Sequence, residues 1–327
     1  MMTFWQIVEH IAHRVFCAPV TRSHRQFLVT MTAFIGVICL HFAVFAAEPF
    51  PPELTRWTPL ADHPVFQGAG PGHWDVKIRE RGSLRKEGDL WRMWYTGYDG
   101  TREGQKSLGL ATSPDGIHWT RSPDNPIYAE HWVEDVCVIQ HAGLYYMVAE
   151  GLQDQAQLLT SPDGQKWTRV GTLHVRLADG TPIPPGPFGT PTLWVENETW
   201  YLFYERRDAG IWLATSQDRL VWTNVQDEPV LSPGPAEFDR DLIALNQILR
   251  YQDRYYAVIH GAANEPQPRL WATGLATSTD LIHWEKYAGN PLRPISENKS
   301  SGQLIPTGNG FRLYTVHDRV DVHGPTP

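Results

Sequence analysis

Hydrophobic and polar positions follow a period of two along most of the chain beyond residue 56. Runs such as Leu90-Trp91-Arg92-Met93-Trp94-Tyr95 and Trp200-Tyr201-Leu202-Phe203-Tyr204 read as strands packed face to face. No segment of helical period and respectable length follows residue 50. The strands end in a recurring motif: Ser113-Pro-Asp115-Gly-Ile-His-Trp119, Ser161-Pro-Asp163-Gly-Gln-Lys-Trp167, Ser216-Gln-Asp218-Arg-Leu-Val-Trp222 and Ser278-Thr-Asp280-Leu-Ile-His-Trp284. Its Ser and Asp side chains can bond the backbone of a tight turn, and its Trp can wedge between adjacent sheets. The four repeated acids are therefore read as turn residues without a chemical role.

Four copies at roughly 50 to 60 residue intervals indicate a repeat architecture. A second element, the decapeptide at 57–66, recurs directly after the turn motif at 119–128, 222–231 and, more loosely, 284–292. Together they mark five units, at 75–119, 134–167, 189–222, 239–284 and from about 300 onward. Three strands plus the trailing decapeptide make a four-stranded antiparallel sheet, the blade of a propeller. The last unit lacks its trailing strand and the first decapeptide lacks a unit. Ring closure answers both, with residues 57–66 supplying the outer strand of blade five and removing two open sheet edges. The expected fold is all-β: one domain over 57–327, a five-bladed β-propeller of four-stranded antiparallel blades closed by an N-terminal strand.

Composition agrees with this pattern, since 14 Trp, 27 Gly and 26 Pro suit short strands and tight turns. The net charge of −8, with no long basic run beyond the first segment, argues against a nucleic-acid partner. At the amino terminus Arg14, Arg22 and Arg25 precede an apolar run at 27–45 that ends in Ala46-Ala47. Residues 1–46 read as a secretory signal cut near Ala46, which places the protein outside the cell or in the periplasm; left uncleaved, the same run is a membrane anchor. Residues 47–56 read as a linker. After cleavage only Cys137 remains of three cysteines, so no internal disulfide forms, and Cys137 is expected to act as a small buried hydrophobe. A monomer or weak oligomer without a membrane partner is expected.

In a propeller the innermost strands begin around one end of a central channel, so the residues just before them converge. Those positions are His73-Trp74-Asp75, Trp132-Val133-Glu134-Asp135, Phe188-Gly189-Thr190-Pro191, Phe238-Asp239-Arg240-Asp241 and Ser296-Glu297-Asn298-Lys299-Ser300. A funnel lined by Trp74, Trp132, Phe188 and Phe238 with acids at its floor suits a sugar, whose ring faces stack on aromatics while its hydroxyls bond to carboxylates and arginines. Arg79 and Arg240 are candidate substrate ligands. No metal-ligand spacing and no cofactor motif is visible, although His260 and His317 could help hold a structural calcium ion in the channel.

The five units, the Ser-x-Asp-Gly-x-x-Trp turns and the Asn-Pro linkers resemble the five-bladed β-propeller glycoside hydrolases, above all family 43, with similarity also to families 32, 68 and 117. The resemblance spans residue 57 to the end. It implies a general base at the blade-one acid, Asp75, and an orienting acid at Asp135, with Glu134 as its rival. The proton donor it implies at the start of blade three is missing, because Gly189-Thr190-Pro191 stands where relatives carry Glu-x-Pro. Glu205 at the end of the middle strand of blade three, Asp241, Asp239, Glu297 and His317 are the candidates to replace it, and His260 is conceivable. The expected catalytic set is Asp75, Asp135, Glu205 and Asp241, with Trp74, Arg79, Trp132, Glu134, Phe188, Asp239, Arg240, His260 and His317 on the substrate.

Glycosidic cleavage needs one carboxyl to protonate the leaving oxygen and another to activate water, about 6.5–9.5 Å apart for inversion. The leading expectation is a secreted inverting glycoside hydrolase acting on oligosaccharides or polysaccharide ends. Two others stand beside it: a phosphorylase or transferase with a phosphate pocket built from Arg240, Arg254 and His260, and a non-catalytic carbohydrate-binding propeller, which the missing Glu favours.

Overall fold

A computed structural model of the chain describes residues 48–183, 188–308 and 310–326. The expected signal segment, 1–46, lies outside the described residues. From Pro49 onward the chain forms one compact unit of five antiparallel sheets. Blade one holds Ser83–Glu87, preceded by the short Lys77–Ile78, then Leu90–Tyr98, Ser107–Ser113 and Thr120–Arg121. Blade two holds Glu134–His141, Leu144–Glu150, Ala156–Ser161 and Thr168–Thr172. Blade three holds Gly189–Glu196, Thr199–Glu205, Ile211–Ser216 and Val221–Asn224, with His174–Arg176 added in parallel to its outer edge. Blade four runs through Leu242–Tyr251, Arg254–Ala262, Ala272–Ser278 and Trp284–Lys286, and blade five through Gly302–Thr307, Gly310–Val316 and Arg319–Pro325.

The first strand of each blade touches the first strand of the next, and the fifth touches the first, so the ring is closed. Side chains just inside these strands join the blades in the same order. Val138 N–H donates to Ser83 Oγ (3.1 Å), Leu193 N–H to Cys137 Sγ (3.5 Å), Thr192 Oγ1 to Leu245 O (2.9 Å), Leu304 N–H to Gln247 Oε1 (2.7 Å) and Leu84 N–H to Gln303 Oε1 (2.9 Å). Cys137 packs half-buried against the apolar cluster between blades two and three, as a small hydrophobe would, and also accepts a bond in this girdle.

The expected closure occurs. Trp57–Pro59 pairs antiparallel with Arg319–Pro325, in register Trp57 with Pro325 and Pro59 with His323, and Phe66–Gln67 extends the pairing to Val320 and Arg319. The 47–56 segment is packed and does not behave as a linker where it is described. Pro52–Thr55 is a single helical turn with Leu54 fully buried, and Tyr251 and Tyr256 donate to Glu53 Oε1 (2.7 Å) and Pro49 O (3.0 Å).

The core is divided among the blade interfaces: five apolar clusters, one between each neighbouring pair. Middle strands such as Leu144–Glu150 are buried on both faces beyond their first residue, because each blade is covered by two others. The repeated turns form as their composition predicts. Each Asp Oδ1 accepts two backbone N–H bonds, as from Ile117 and His118 to Asp115 (both 2.8 Å), and each Ser Oγ accepts the N–H three residues on, as from Gly116 to Ser113 (2.8 Å). They also lock blade to blade: Trp94 of blade one donates to Gly164 O in the turn of blade two (2.7 Å), and Tyr314 of blade five to Gly116 O in the turn of blade one (2.8 Å).

Candidate functional site

The channel mouth is built from irregular backbone. In blades two, three and four the first strand shifts register near its start, at Glu134/Cys137, Gly189/Thr192 and Leu245/Gln247. Arg81, Asp135, Thr190 and Ser301, each at the start of a different blade, have left-handed φ between 44° and 57°. Such backbone persists in non-glycine residues where the surrounding structure over-determines it. Here the inward carbonyls are fastened by a buried cation. The fully buried Arg81 donates to Asp135 O (3.0 Å) and Pro191 O (2.9 Å) and to Thr192 Oγ1, tying blades one, two and three together beneath the mouth.

Above this floor lies a cavity of about 450 Å³ with carboxylates from three blades. Glu80 comes from blade one, Asp135 and Glu150 from blade two with Asp154 in the loop that follows, and Glu205 and Asp208 from blade three. Strand register puts Glu150, Glu205 and His260 at equivalent places, near the inner ends of the middle strands of blades two, three and four, opposite Glu134, Gly189 and Ala244. His317 directly follows the corresponding strand of blade five.

Gly189, which stands where a proton donor was expected, is opposite Glu205. A Cβ at this position would overlap the Glu205 carboxylate and stand 2.9 Å from Glu150 Oε1. The missing side chain is what lets two carboxyl groups from different blades converge. Glu150 Oε1 also accepts from Thr190 N–H (2.5 Å), and Glu205 Oε2 from Asp208 N–H.

Burial and crowding separate these acids electrostatically. Burial, reinforced by Asp208, pushes the Glu205 carboxyl up to about 8. Burial followed by the charge of Asp135 raises Glu150 well above the usual carboxylate range, and burial with Glu80 does the same to Asp135. Asp208 is raised to about 6, by burial and then Glu80. Glu80 goes the other way: burial opposes its charge, but His317, 3.4 Å away, bonds and pairs with it and brings it down to about 2. His317 also contacts Ser300 Oγ at 2.9 Å. Burial holds His260 down at about 4, while its Nδ1 lies 2.8 Å from Asn246 Oδ1 and its ring meets Trp271 edge to face, 5.2 Å between centroids.

A second cavity of about 640 Å³ adjoins the first and shares Asp154 with it. Trp132, Tyr98, Arg79 and Lys106 line it. Glu134 is fixed there by Arg79 Nε (2.9 Å) and Trp132 Nε1 (2.7 Å), and Lys106 lies over the rings of Tyr98 and Trp132 at 4.5 and 4.4 Å. Gln153 and Asp154, consecutive residues with φ of 62° and 56°, line the second cavity, and Asp154 borders the first as well.

Several expected site residues lie elsewhere. Asp75 is 1% exposed and lines neither cavity; its Oδ2 accepts from Tyr95 Oη (3.0 Å) and pairs with Arg121 in the outer strand of blade one (2.8 Å). Asp239 repeats this arrangement in blade four, fully buried and paired with Lys286 of the outer strand. In both blades the preceding aromatic residue fills the space over glycine: Trp74 against Gly97, and Phe238 against Gly274. The aromatic-Asp pairs at these two blade starts are therefore internal fasteners. Phe188 is likewise buried, so of the four expected funnel aromatics Trp132 alone lines either of these two cavities, and Trp271 supplies an aromatic wall of the first. Asp241 accepts from Asn264 N–H (2.8 Å) and pairs with Arg240 (3.3 Å) outside both cavities, while Glu297 is held by Arg293 (2.6 Å) and Lys299 (3.3 Å). Arg254 stands at the opposite end of its strand from His260, about 20 Å away at the rise of a β-strand, so the phosphate pocket expected from Arg240, Arg254 and His260 is not assembled.

Glu80, Glu150, Asp154, Asp208 and Trp271 line the site although none is among the residues expected from the sequence. The usable signal was a charged or imidazole side chain closing an apolar middle strand, as in Val148-Ala149-Glu150, Phe203-Tyr204-Glu205 and Val258-Ile259-His260. Among the described residues no group of three or more His, Cys, Asp or Glu side chains is placed to hold a metal ion.

No protein-family model and no curated protein matches this sequence. Solved structures do. A candidate glycoside hydrolase from Parabacteroides distasonis superposes with a TM-score of 0.69 at 17% identity, over 85% of this chain and 97% of that one. A glycosyl hydrolase from Bacteroides ovatus gives 0.64 at 16%, over 82% and 92%. The β-1,2-mannobiose phosphorylase from Listeria innocua gives 0.61 at 14%, over 82% and 95%. At these identities the likeness establishes the shared five-bladed fold.

Proposed function

We propose that this protein hydrolyses glycosidic bonds, with the sugar seated in the channel-mouth cavity and Glu205 as the proton donor. One observation carries the reading: a buried carboxyl held near 8 and a carboxylate held near 2, Glu205 and Glu80, line one cavity on different blades. Environments that drive two carboxyls apart in this way define an acid and a charged partner. In the reaction Glu205 gives its proton to the glycosidic oxygen as the bond from that oxygen to the anomeric carbon breaks. Ionised Glu80 stabilises the positive charge that develops on the sugar. Water adds to the anomeric carbon and loses a proton to Asp208, which at about 6 is a stronger base than Glu80 and is still ionised at neutral pH.

Phosphorolysis is the second reading. It draws on the structural likeness to the Listeria innocua phosphorylase and to a member of glycoside hydrolase family 130, which contains mannoside phosphorylases and hydrolases that target β-1,2 mannosidic linkages. Arg79, Arg102 and Lys106 around the second cavity are the cations it would need. We favour hydrolysis because the carboxylates of the first cavity repel a phosphate.

The test is a panel of oligosaccharides, beginning with β-1,2-mannobiose, assayed for free sugar and sugar 1-phosphate with and without phosphate. Glu205→Gln should lower turnover by about 10²–10⁴-fold with the fold retained, the usual worth of a general acid. Undiminished turnover in that variant rules out Glu205 as the donor, and turnover that requires phosphate decides for phosphorolysis.

A further inference from the structure

The cavity contains one arrangement that hydrolysis by Glu205 alone does not require. Glu150 reaches toward Gly189 from blade two and Glu205 from blade three, and only the absence of a side chain at 189 leaves room for both. We propose that Glu150 is the positioning residue of Glu205: the two carboxyl groups meet across the clearance left by Gly189 and take up and release protons as one coupled unit. This inference rests on the reading of Glu205 as proton donor.

Three features support the pairing. Glu150 is held in place by backbone, since the left-handed Thr190 turns its N–H onto Oε1 at 2.5 Å. Glu205 is held in the same way by the N–H of Asp208, itself left-handed. Each carboxylate spends one oxygen on a backbone donor, and the two residues hold equivalent positions on the middle strands of neighbouring blades, with both carboxyls reaching the space beside Gly189. The acids that face the pair oppose its ionisation, since each negative charge nearby disfavours another on the pair. Glu150 faces Glu134 and Asp135, Glu205 faces Asp154 and Asp208, Arg207 lines the same cavity, and Arg81 beneath the pair is already bonded to three acceptors. Two carboxyls brought together in a buried site cannot both ionise cheaply, so a proton is retained between them at neutral pH. Titration of such a pair belongs to the pair and proceeds in two macroscopic steps. The functional consequence is a proton that remains available to the leaving oxygen and is replaced within the site after each turnover.

The pairing can be read without a substrate. In the full chain with ¹³C-labelled glutamate side chains, the Glu205 carboxyl resonance, assigned by its loss in Glu205→Gln, should follow a biphasic curve against pH. Glu150→Gln should convert that curve to a single step. The reciprocal variant, Glu205→Gln, should do the same to the Glu150 resonance, so either one decides the matter if the other does not fold. A Glu205 curve with the same single step in the wild type and in Glu150→Gln overturns the pairing, as does an unchanged Glu150 curve in Glu205→Gln. Failure of the hydrolase reading would look different: biphasic curves would persist while Glu205→Gln left sugar release intact.

Discussion

Gly189 and Asp75 show how residue identity and residue role separate in this protein. A glycine where a proton donor was expected looks like a loss of function. In the folded chain the same glycine admits Glu205 from the opposite strand position and Glu150 from the neighbouring blade. Gly189→Ala is expected to destabilise the fold by about 1–3 kcal/mol through overpacking and to displace both carboxylates; calorimetry and turnover measured together test this. Asp75 is the reverse case. It sits where the family resemblance implies a base, yet Arg121 and Tyr95 absorb its charge inside the blade. Asp75→Asn should therefore lower stability, by about 1–3 kcal/mol because Arg121, a third exposed, keeps part of its hydration, and leave the turnover of the surviving folded protein within a few-fold of wild type. Acid and base positions also fix the pH dependence. Glu205 must be protonated and Asp208 ionised, so activity should fall as pH rises through about 8 and as it falls through about 6, giving a bell in kcat/KM. A profile without an alkaline limb would count against Glu205. The sequence flagged Glu205 because a charged residue ending an apolar strand is conspicuous; it could not reveal that Asp75 is neutralised by a cation 46 residues away.

At the scale of elements, the turns and the strands were legible because their determinants are local. An Asp or Ser that bonds its own turn needs only its next few residues. Ring closure was legible for a different reason: a decapeptide without a unit and a unit without a decapeptide complete one another, and an unpaired edge is costly. What local pattern does not encode is the girdle of side chains that joins the five inner strands. Gln247 is its clearest member, accepting from Leu304 N–H (2.7 Å) and donating to Leu304 O (3.0 Å) between blades four and five. Gln247→Leu should cost about 1–3 kcal/mol, since it leaves buried backbone groups of Leu304 unpaired, and urea unfolding would measure it. A loss of under a few tenths would mean that the girdle is incidental.

Over the whole molecule, stability is spread across five interfaces, and the seam between the two chain ends is where it responds to acid. His323 is fully buried in Arg319–Pro325, facing Pro59, and neither ring nitrogen has a partner. Burial, then Lys299 and Arg293, hold it down at about 4, and Asp321 opposes them. An unfolded histidine takes its proton near 6.5. Between those values the unfolded chain binds the proton and the folded chain does not, so stability is complete above about 6.5 and declines as pH falls toward 4. The loss amounts to about 3 kcal/mol for a shift of this size. His260, held down by burial in the same way, costs stability over the same range. His323→Leu should remove the contribution of its site, so the stability gap between variant and wild type should move in favour of the variant by a similar amount from pH 7 to pH 4; a gap independent of pH would show that His323 titrates normally. By itself the sequence determined the all-β class, five blades, the turn chemistry and the closing strand, because each follows from periodicity, repetition and short-range bonding. Only the tertiary structure decided which acids share a cavity. That depends on which strand ends meet around the channel, where a glycine leaves space and which carboxylates already have a cation, and these are relations between residues far apart in the chain.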